Sequence, residues 1–309
     1  MRIATIKGPK GQARTAAVIG EEGKELVVDL HEATDGKVPV GDVMALLSAG
    51  PGALKAAKAA AKKATTGKKL SAVTLLAPIA RPGKILCAAG NYQKHIEEGG
   101  GKRLDKSINV PKLFMKPSTA VAGPGEAVAL PTTSKTMDWE LELGVIIGKR
   151  GRNIPVAEAL DYVAGYTVVN DLSARTADWG VSGRTPSEWD LFFDWLNGKW
   201  VDGFLPMGPW MVTADEITDP QTLAMTLKVG RTKHQDATAA DMIFSCAELI
   251  AFASRFMVLE PGDIFATGTP DGVGDASGTY LKKGQVMEGW IEGIGTLVTP
   301  VGPAFKDRV

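Results

Sequence analysis

Polar and apolar residues alternate most clearly in Asp138-Trp139-Glu140-Leu141-Glu142-Leu143, after which the chain turns continuously apolar through Val145-Ile146-Ile147. A period of two is that of a half-buried β-strand. Residues i and i+2 of a strand share a face, so Glu140 and Glu142 point the same way while Leu141 and Leu143 pack behind them. A second strand-like run, Ala164–Asp171, is β-branched and ends on a carboxylate where the polar Asn170-Asp171-Leu172-Ser173 begins. From Pro82 onward, short β-branched runs separated by Gly and Pro turns predict strands over Lys84–Ala88, Lys112–Met115, Ala127–Leu130, Leu141–Ile147, Tyr166–Val169, Met211–Ala214, Met225–Val229, Ile264–Thr267, Gln285–Ile291 and Gly295–Val298. Helical signals are fewer. Pro155–Leu160 starts with a proline suited to a first turn. Asp241–Phe256 carries an apolar stripe of Ile243, Leu249, Ile250, Phe252 and Phe256.

The first part of the chain reads differently. Strand-like Arg2–Lys7, Thr15–Ile19 and Leu26–Leu30 suggest hairpins around polar glycine turns, with His31 in a surface loop, and Val43–Leu47 is expected to be helical. Pro51–Leu70 is rich in the strong helix formers Ala and Lys. It reads as a solvated helix, a basic anion-recruiting patch being the alternative. These patterns predict an α+β protein: a small N-terminal α+β unit over residues 1–76, then a larger β-rich unit over residues 77–309.

Composition narrows the functional classes. Lys plus Arg balance Asp plus Glu at 35 each, which gives no reason to expect nucleic acid or an anionic membrane as partner. No apolar run is long enough to predict a membrane-spanning helix, and Met1–Ile6 reads as a strand without the apolar core of a signal peptide. Cys87 and Cys246 are far apart with no C-x-x-C, which predicts free, buried thiols in a cytoplasmic protein. Only three histidines occur, His31, His95 and His234, none at i, i+4 from another, which argues against a His-rich zinc site.

If the two strands are close, Glu140, Glu142 and Asp171 form an all-oxygen trio, which suits Mg²⁺ or Mn²⁺, with Ca²⁺ as a further oxygen-seeking candidate. Two exposed glutamates on a sheet face are the plainer alternative. His95 and Glu98 are three apart and share a face if helical. Asn91 could cap that helix, and Gly99-Gly100-Gly101 could hinge it. A carboxylate that orients a histidine makes it a base able to deprotonate water. A surface histidine with an incidental glutamate is the rival reading. Gly268-Thr269-Pro270-Asp271-Gly272-Val273-Gly274 lacks the G-K-[ST] ending of a phosphate loop.

Taken together and in order, these stretches resemble the fumarylacetoacetate hydrolase family. The resemblance rests on Asn91-Tyr92…His95…Glu98, on the E-x-E strand, on Gly165-Tyr166…Asn170-Asp171-Leu172-Ser173-Ala174-Arg175, and on Gly268–Gly274, and it runs from about Pro82 to about Pro300. It implies a trio of metal ligands at Glu140, Glu142 and Asp171, and a lid dyad at His95 and Glu98. Lys199, in Asn197-Gly198-Lys199-Trp200, is implied to face the substrate. Lys116, in Phe114-Met115-Lys116-Pro117-Ser118, lies near the site, and Thr269 is implied to donate to the substrate. Asp178 stands where the family often has a substrate-touching glutamine, and Ala89-Gly90 also departs from the usual pattern. The insert Val181–Trp195, rich in Trp and Phe, is expected to line the pocket or a dimer contact. Asp138 is placed behind the metal ligands. The implied activity is hydrolysis of the C–C bond of acylpyruvate-type 2,4-dioxo acids by a likeness-based homodimer acting on a small 2-oxo acid. Oxaloacetate decarboxylation, or isomerisation or hydration of an unsaturated 2-oxo acid, could use the same site. A non-catalytic metal or ligand-binding module is the rival from another class, and it would have no need of the His95–Glu98 dyad.

Overall fold

A computed structural model describes residues 1–305. The expected α+β class is found: a large mixed sheet forms the spine, with helices on one face and a second, five-stranded sheet on the other. The centre of the spine is the antiparallel pair Leu141–Ile147 and Val163–Asn170, in the register Leu141↔Asn170 and Glu142↔Val169. Leu205–Thr213 pairs with the outer side of Val163–Asn170. Ile264–Ala266 flanks Leu141–Ile147 and is followed by Ile85–Ala88 and the edge strand Leu113–Met115.

The alternation seen in the sequence sorts side chains between the two faces. Leu141, Leu143, Val145 and Val168 face the second sheet. Ile146, Val169, Met207 and Met211 face the helices Val43–Ser48 and Pro51–Lys63. The second sheet comes very close: a Cβ on Gly289 would lie 2.8 Å from Leu141 Cδ1, so any larger residue there would have to displace that buried side chain. The N-terminal strand Arg2–Lys7 joins the same spine, pairing with both Ala13–Ile19 and Leu205–Thr213. The small unit expected over residues 1–76 thus shares its sheet with the larger one.

Several boundaries differ from expectation. The late helix begins at Cys246, because Ser245 and Glu248 form a reciprocal capping box that fixes its start. The Ala/Lys helix ends at Lys63. The Pro155 segment is a 3₁₀ turn over Val156–Tyr162. Glu188–Gly198 is a helix that the aromatic composition did not suggest, opened by a Ser187–Asp190 capping box. His31 lies in a one-turn helix with Nδ1 2.8 Å from the Val38 carbonyl, tied to the backbone rather than free in a surface loop.

Candidate active site

The central pair of strands brings the three carboxylates together. Glu140 immediately precedes one strand and Asp171 immediately follows the other, and Asp171 N–H donates to the Glu140 carbonyl at 2.8 Å. Asn170 locks the junction, its Oδ1 accepting from Glu140 N–H at 2.9 Å. Glu140, Glu142 and Asp171 each offer a carboxylate oxygen within 4.8 Å of the others, and all three are buried.

Buried carboxylates demand compensating charge. Lys199 Nζ donates to Glu140 Oε2 at 2.6 Å and to Asp171 Oδ2 at 2.9 Å. Lys116 Nζ donates to the Asp171 carboxylate and to the Leu172 carbonyl. Arg175 Nη2 lies 2.7 Å from Glu140 Oε1, while its Nε donates to Asp138 Oδ2 at 2.8 Å. Burial alone would raise the Glu140 carboxyl, but Lys199 and Arg175 outweigh it and hold Glu140 well below the usual carboxylate range. Burial works against the Lys199 ammonium too, yet Asp171 and Glu140 raise it above its ordinary value. Burial lowers Lys116 in spite of Asp171. Glu142 is the member left out: burial first, then Asp171 and Glu140, push its carboxyl far above the ordinary value. Its hydrogen bond comes from Gly268 N–H at 2.7 Å, and among the described residues no cationic side chain pairs with it. A hard divalent cation fits this donor set, since three carboxylate oxygens converge and one carboxylate still wants a positive neighbour.

Beside the trio lies a cavity of about 210 Å³, lined in part by Ala88, Ala89, Gly90 and Thr269. Glu140, Glu142, Lys199, Arg175 and His95 form its polar wall, and Phe114 and Trp195 its aromatic wall. The two rings meet edge to face, 5.0 Å between centroids, and the Lys199 ammonium sits 5.3 Å from the Phe114 centroid. His95 is carried by the short helix Gln93–Glu98, and its Nδ1 is 2.8 Å from Glu98 Oε1. A carboxylate at Nδ1 only accepts, so in the neutral ring this contact selects the tautomer with the proton on Nδ1 and the lone pair on Nε2.

The residues expected from sequence are therefore not all equivalent. Glu140, Glu142, His95 and Lys199 share the cavity wall, and Asp171 lies directly behind. Lys116 is fully buried against Asp171 rather than on the wall. Thr269 lines the cavity, but its hydroxyl proton goes to the Leu141 carbonyl at 2.9 Å, and it accepts from Gln235 Nε2 at 2.8 Å. A donation from Thr269 to substrate would need that bond to break. Asp178 is exposed: its N–H donates to the Thr133 carbonyl, its carboxylate accepts from Gly180 N–H, and it does not line the cavity. Asn91 does not cap the His95 helix: its side chain bonds Phe244 and Thr267 instead. The insert reaches the cavity through Trp195 alone, and Phe114 and Arg175 are wall residues for which the sequence suggested no role.

The pattern for the fumarylacetoacetate (FAA) hydrolase C-terminal region matches residues 84–302, most of the chain. The chain belongs to the fumarylacetoacetate hydrolase family. Its curated relatives include the mitochondrial oxaloacetate tautomerase Fahd2a of Rattus norvegicus, 39% identical over 236 residues, which are 75% of this chain and 70% of the relative. The mitochondrial oxaloacetate tautomerase fahd2 of Xenopus laevis is 38% identical over 280 residues, 89% of this chain and 82% of the relative. Among solved structures, maleylpyruvate hydrolase from Sphingobium sp. SYK-6, in complex with manganese (II) ion and pyruvate, superposes with a TM-score of 0.76 at 30% identity, covering 99% of this chain and 100% of that one. The protein is thus a member of an enzyme family that includes both hydrolases and tautomerases, and among its described residues no helix is long and apolar enough to cross a membrane.

Proposed function

We propose that this member of the family is a divalent-metal-dependent hydrolase of short acylpyruvate-type 2,4-dioxo acids. The observation that carries the reading is the His95–Glu98 pair on the wall of the same cavity as Glu140 and Glu142. A site that only bound a metal or a ligand would have no use for an oriented base there. Glu140, Glu142 and Asp171 would hold the cation, Mg²⁺ or Mn²⁺ by donor chemistry, and when bound it supplies a Lewis acid for the paired oxygens of a 2-oxo acid. The manganese and pyruvate in the Sphingobium relative support that assignment.

The chain's own groups account for the rest. His95 Nε2 takes a proton from water as the water attacks the 4-carbonyl. Glu98 steadies the imidazolium that results. Such base catalysis contributes about 10²–10⁴-fold. Lys199 and Arg175 give the wall positive charge toward an anionic substrate and toward negative charge building on the departing three-carbon fragment as the C3–C4 bond breaks. The small volume limits the substrate to a short chain, and Phe114 and Trp195 offer its tail an aromatic surface.

A second reading is favoured by the names of the rat and frog relatives: keto–enol interconversion of oxaloacetate. There His95 would move a proton to and from C3, with no water consumed. Decarboxylation of oxaloacetate would need neither the water nor the base. The deciding experiment follows the purified protein with Mg²⁺ or Mn²⁺ on acetylpyruvate, by pyruvate release, and on oxaloacetate, by decay of enol absorbance and by pyruvate release. Metal-dependent pyruvate release from acetylpyruvate is expected. Enol decay alone would replace hydrolysis by tautomerisation, and inactivity on both substrates would overturn the assignment.

A further inference from the structure

The helix that carries His95 is six residues long, so it cannot hold the base rigidly by itself. Glu98 uses both of its oxygens. Oε1 meets His95 Nδ1 at 2.8 Å, and Oε2 accepts from the amide of Gly272 at 2.8 Å, 174 residues further along the chain. That amide belongs to the Gly268–Gly274 loop, which is gripped from below. Trp139, 1% exposed, donates its indole N–H to the Gly272 carbonyl at 3.0 Å. Asp138 accepts from Gly274 N–H at 2.6 Å and from Asp275 N–H at 3.0 Å. The backbone of Gly272 lies so close to that of His234 that a Cβ would fall 2.0 Å from the His234 carbonyl oxygen. The His234 ring in turn packs on Trp139, 4.5 Å between centroids.

Asp138 and Trp139 are the residues immediately before the Glu140–Glu142 pair. One end of the metal-ligand strand therefore fixes the loop whose amide fixes Glu98. We infer that Trp139 is a positioning residue for the general base: its indole N–H holds the Gly272 carbonyl, and the adjoining peptide unit, joined at the Gly272 Cα, presents the N–H that sets Glu98 and thereby the His95 ring. This rests on the reading of His95 and Glu98 as the base. Trp139 touches neither substrate nor reacting atoms in this scheme. It acts by holding the base within the narrow range of geometry that proton transfer needs.

The test is Trp139→Phe in the metal-loaded protein, which removes the N–H and keeps an aromatic ring. A misplacement of the reacting groups by about 1 Å, caused from outside the site, can cost about 10²-fold. The expected result is a fall in kcat for acetylpyruvate of about tenfold or more, with KM and Mn²⁺ affinity unchanged. Hydrogen–deuterium exchange should quicken in the peptide covering residues 93–101. In a Glu98→Ala background the same substitution should cost nothing further, because its route to His95 is already cut. An equal loss in both backgrounds, or unchanged exchange in residues 93–101, would overturn the inference. If Trp139→Phe fails to fold, benzothienylalanine at position 139 deletes only the N–H and serves the same comparison. Full turnover in Glu98→Ala alone would instead remove the dyad from the chemistry, and the exchange measurement would then still decide whether Trp139 holds the lid.

Discussion

Replacing Lys199 by Met tests whether its ammonium acts as the counter-ion of the carboxylate trio. The side chain is 2% exposed, with Nζ 2.6 Å from Glu140 Oε2 and 2.9 Å from Asp171 Oδ2, so solvent screens little of the attraction. Removing one partner of a buried ion pair typically costs about 3–5 kcal/mol, because the other charge is left uncompensated. Methionine keeps most of the aliphatic stem, so lost packing adds little. For a chain of this size, about 2 °C of melting temperature per kcal/mol is expected, giving a fall of ~6–10 °C in metal-free protein. A divalent cation should return part of that loss, since it brings positive charge to the same oxygens. Each 1.4 kcal/mol returned tightens binding about tenfold. Thermal melts in EDTA and across a Mn²⁺ titration, for wild type and Lys199→Met, read both effects. Metal should raise the melting temperature of the variant more than that of the wild type. If the two metal-free proteins melt together, or metal raises both by the same increment, Lys199 is not the counter-ion and the charge accounting of the site is wrong.

Other expectations follow from the same geometry. Glu140→Ala, Glu142→Ala and Asp171→Ala should each abolish metal-dependent turnover with the fold retained by circular dichroism; near-normal rates at limiting Mg²⁺ in any of them would remove that residue from the metal site. His95→Gln should lower acetylpyruvate hydrolysis by about 10²–10⁴-fold while affecting oxaloacetate decarboxylation far less; equal loss of both would mean that His95 orders the site rather than activating water. Burial pushes the Cys246 thiol up to about 12, so at pH 8 it stays protonated and should resist thiol reagents until the protein is unfolded; rapid labelling of native protein would contradict its burial. Trp179 and Trp189 are 41% and 69% exposed, and a homodimer or larger assembly is expected; a clean monomer by light scattering at micromolar concentration would refute it.

The centre of the site was legible because it depends on local rules. Period-two alternation placed Glu140 and Glu142 on one face, and a β-branched run ending in Asp171 placed the third carboxylate at a strand end. What the sequence could not supply was the set of partners. Arg175 is drawn to Asp138 and Glu140 across 37 and 35 positions, and nothing in the run Ser173-Ala174-Arg175 announces that pairing. Lys116 was expected near a substrate, yet it is buried against Asp171, and Lys199, which does line the cavity, also neutralises Glu140 and Asp171, because burial makes neutralising those charges the dominant demand. Asp178 was assigned by its place in a motif, but its own loop takes it outward. Strand Leu205–Thr213 was mostly hidden by Pro206, Gly208 and Pro209, residues that ordinarily interrupt strands. Helix Glu188–Gly198 did carry a signal, Ser187 three residues before Asp190, which its aromatic composition obscured.

The place of the first strand in the spine has a consequence for synthesis. Arg2–Lys7 can form a hairpin with Ala13–Ile19 as soon as both have left the ribosome, but its other edge pairs with Leu205–Thr213. At the usual pace of translation, about 5–20 residues per second, that partner follows some ten seconds or more later. Thr5 and Ile6 on that edge find Leu76 and Leu75 much earlier, so what stays open until then is the short Arg2–Ile3 edge, the kind of surface that recruits other chains. That short edge is therefore open to capture by a chaperone, or to mispairing between neighbouring nascent chains, although it lies far in sequence from the residues that form the cavity.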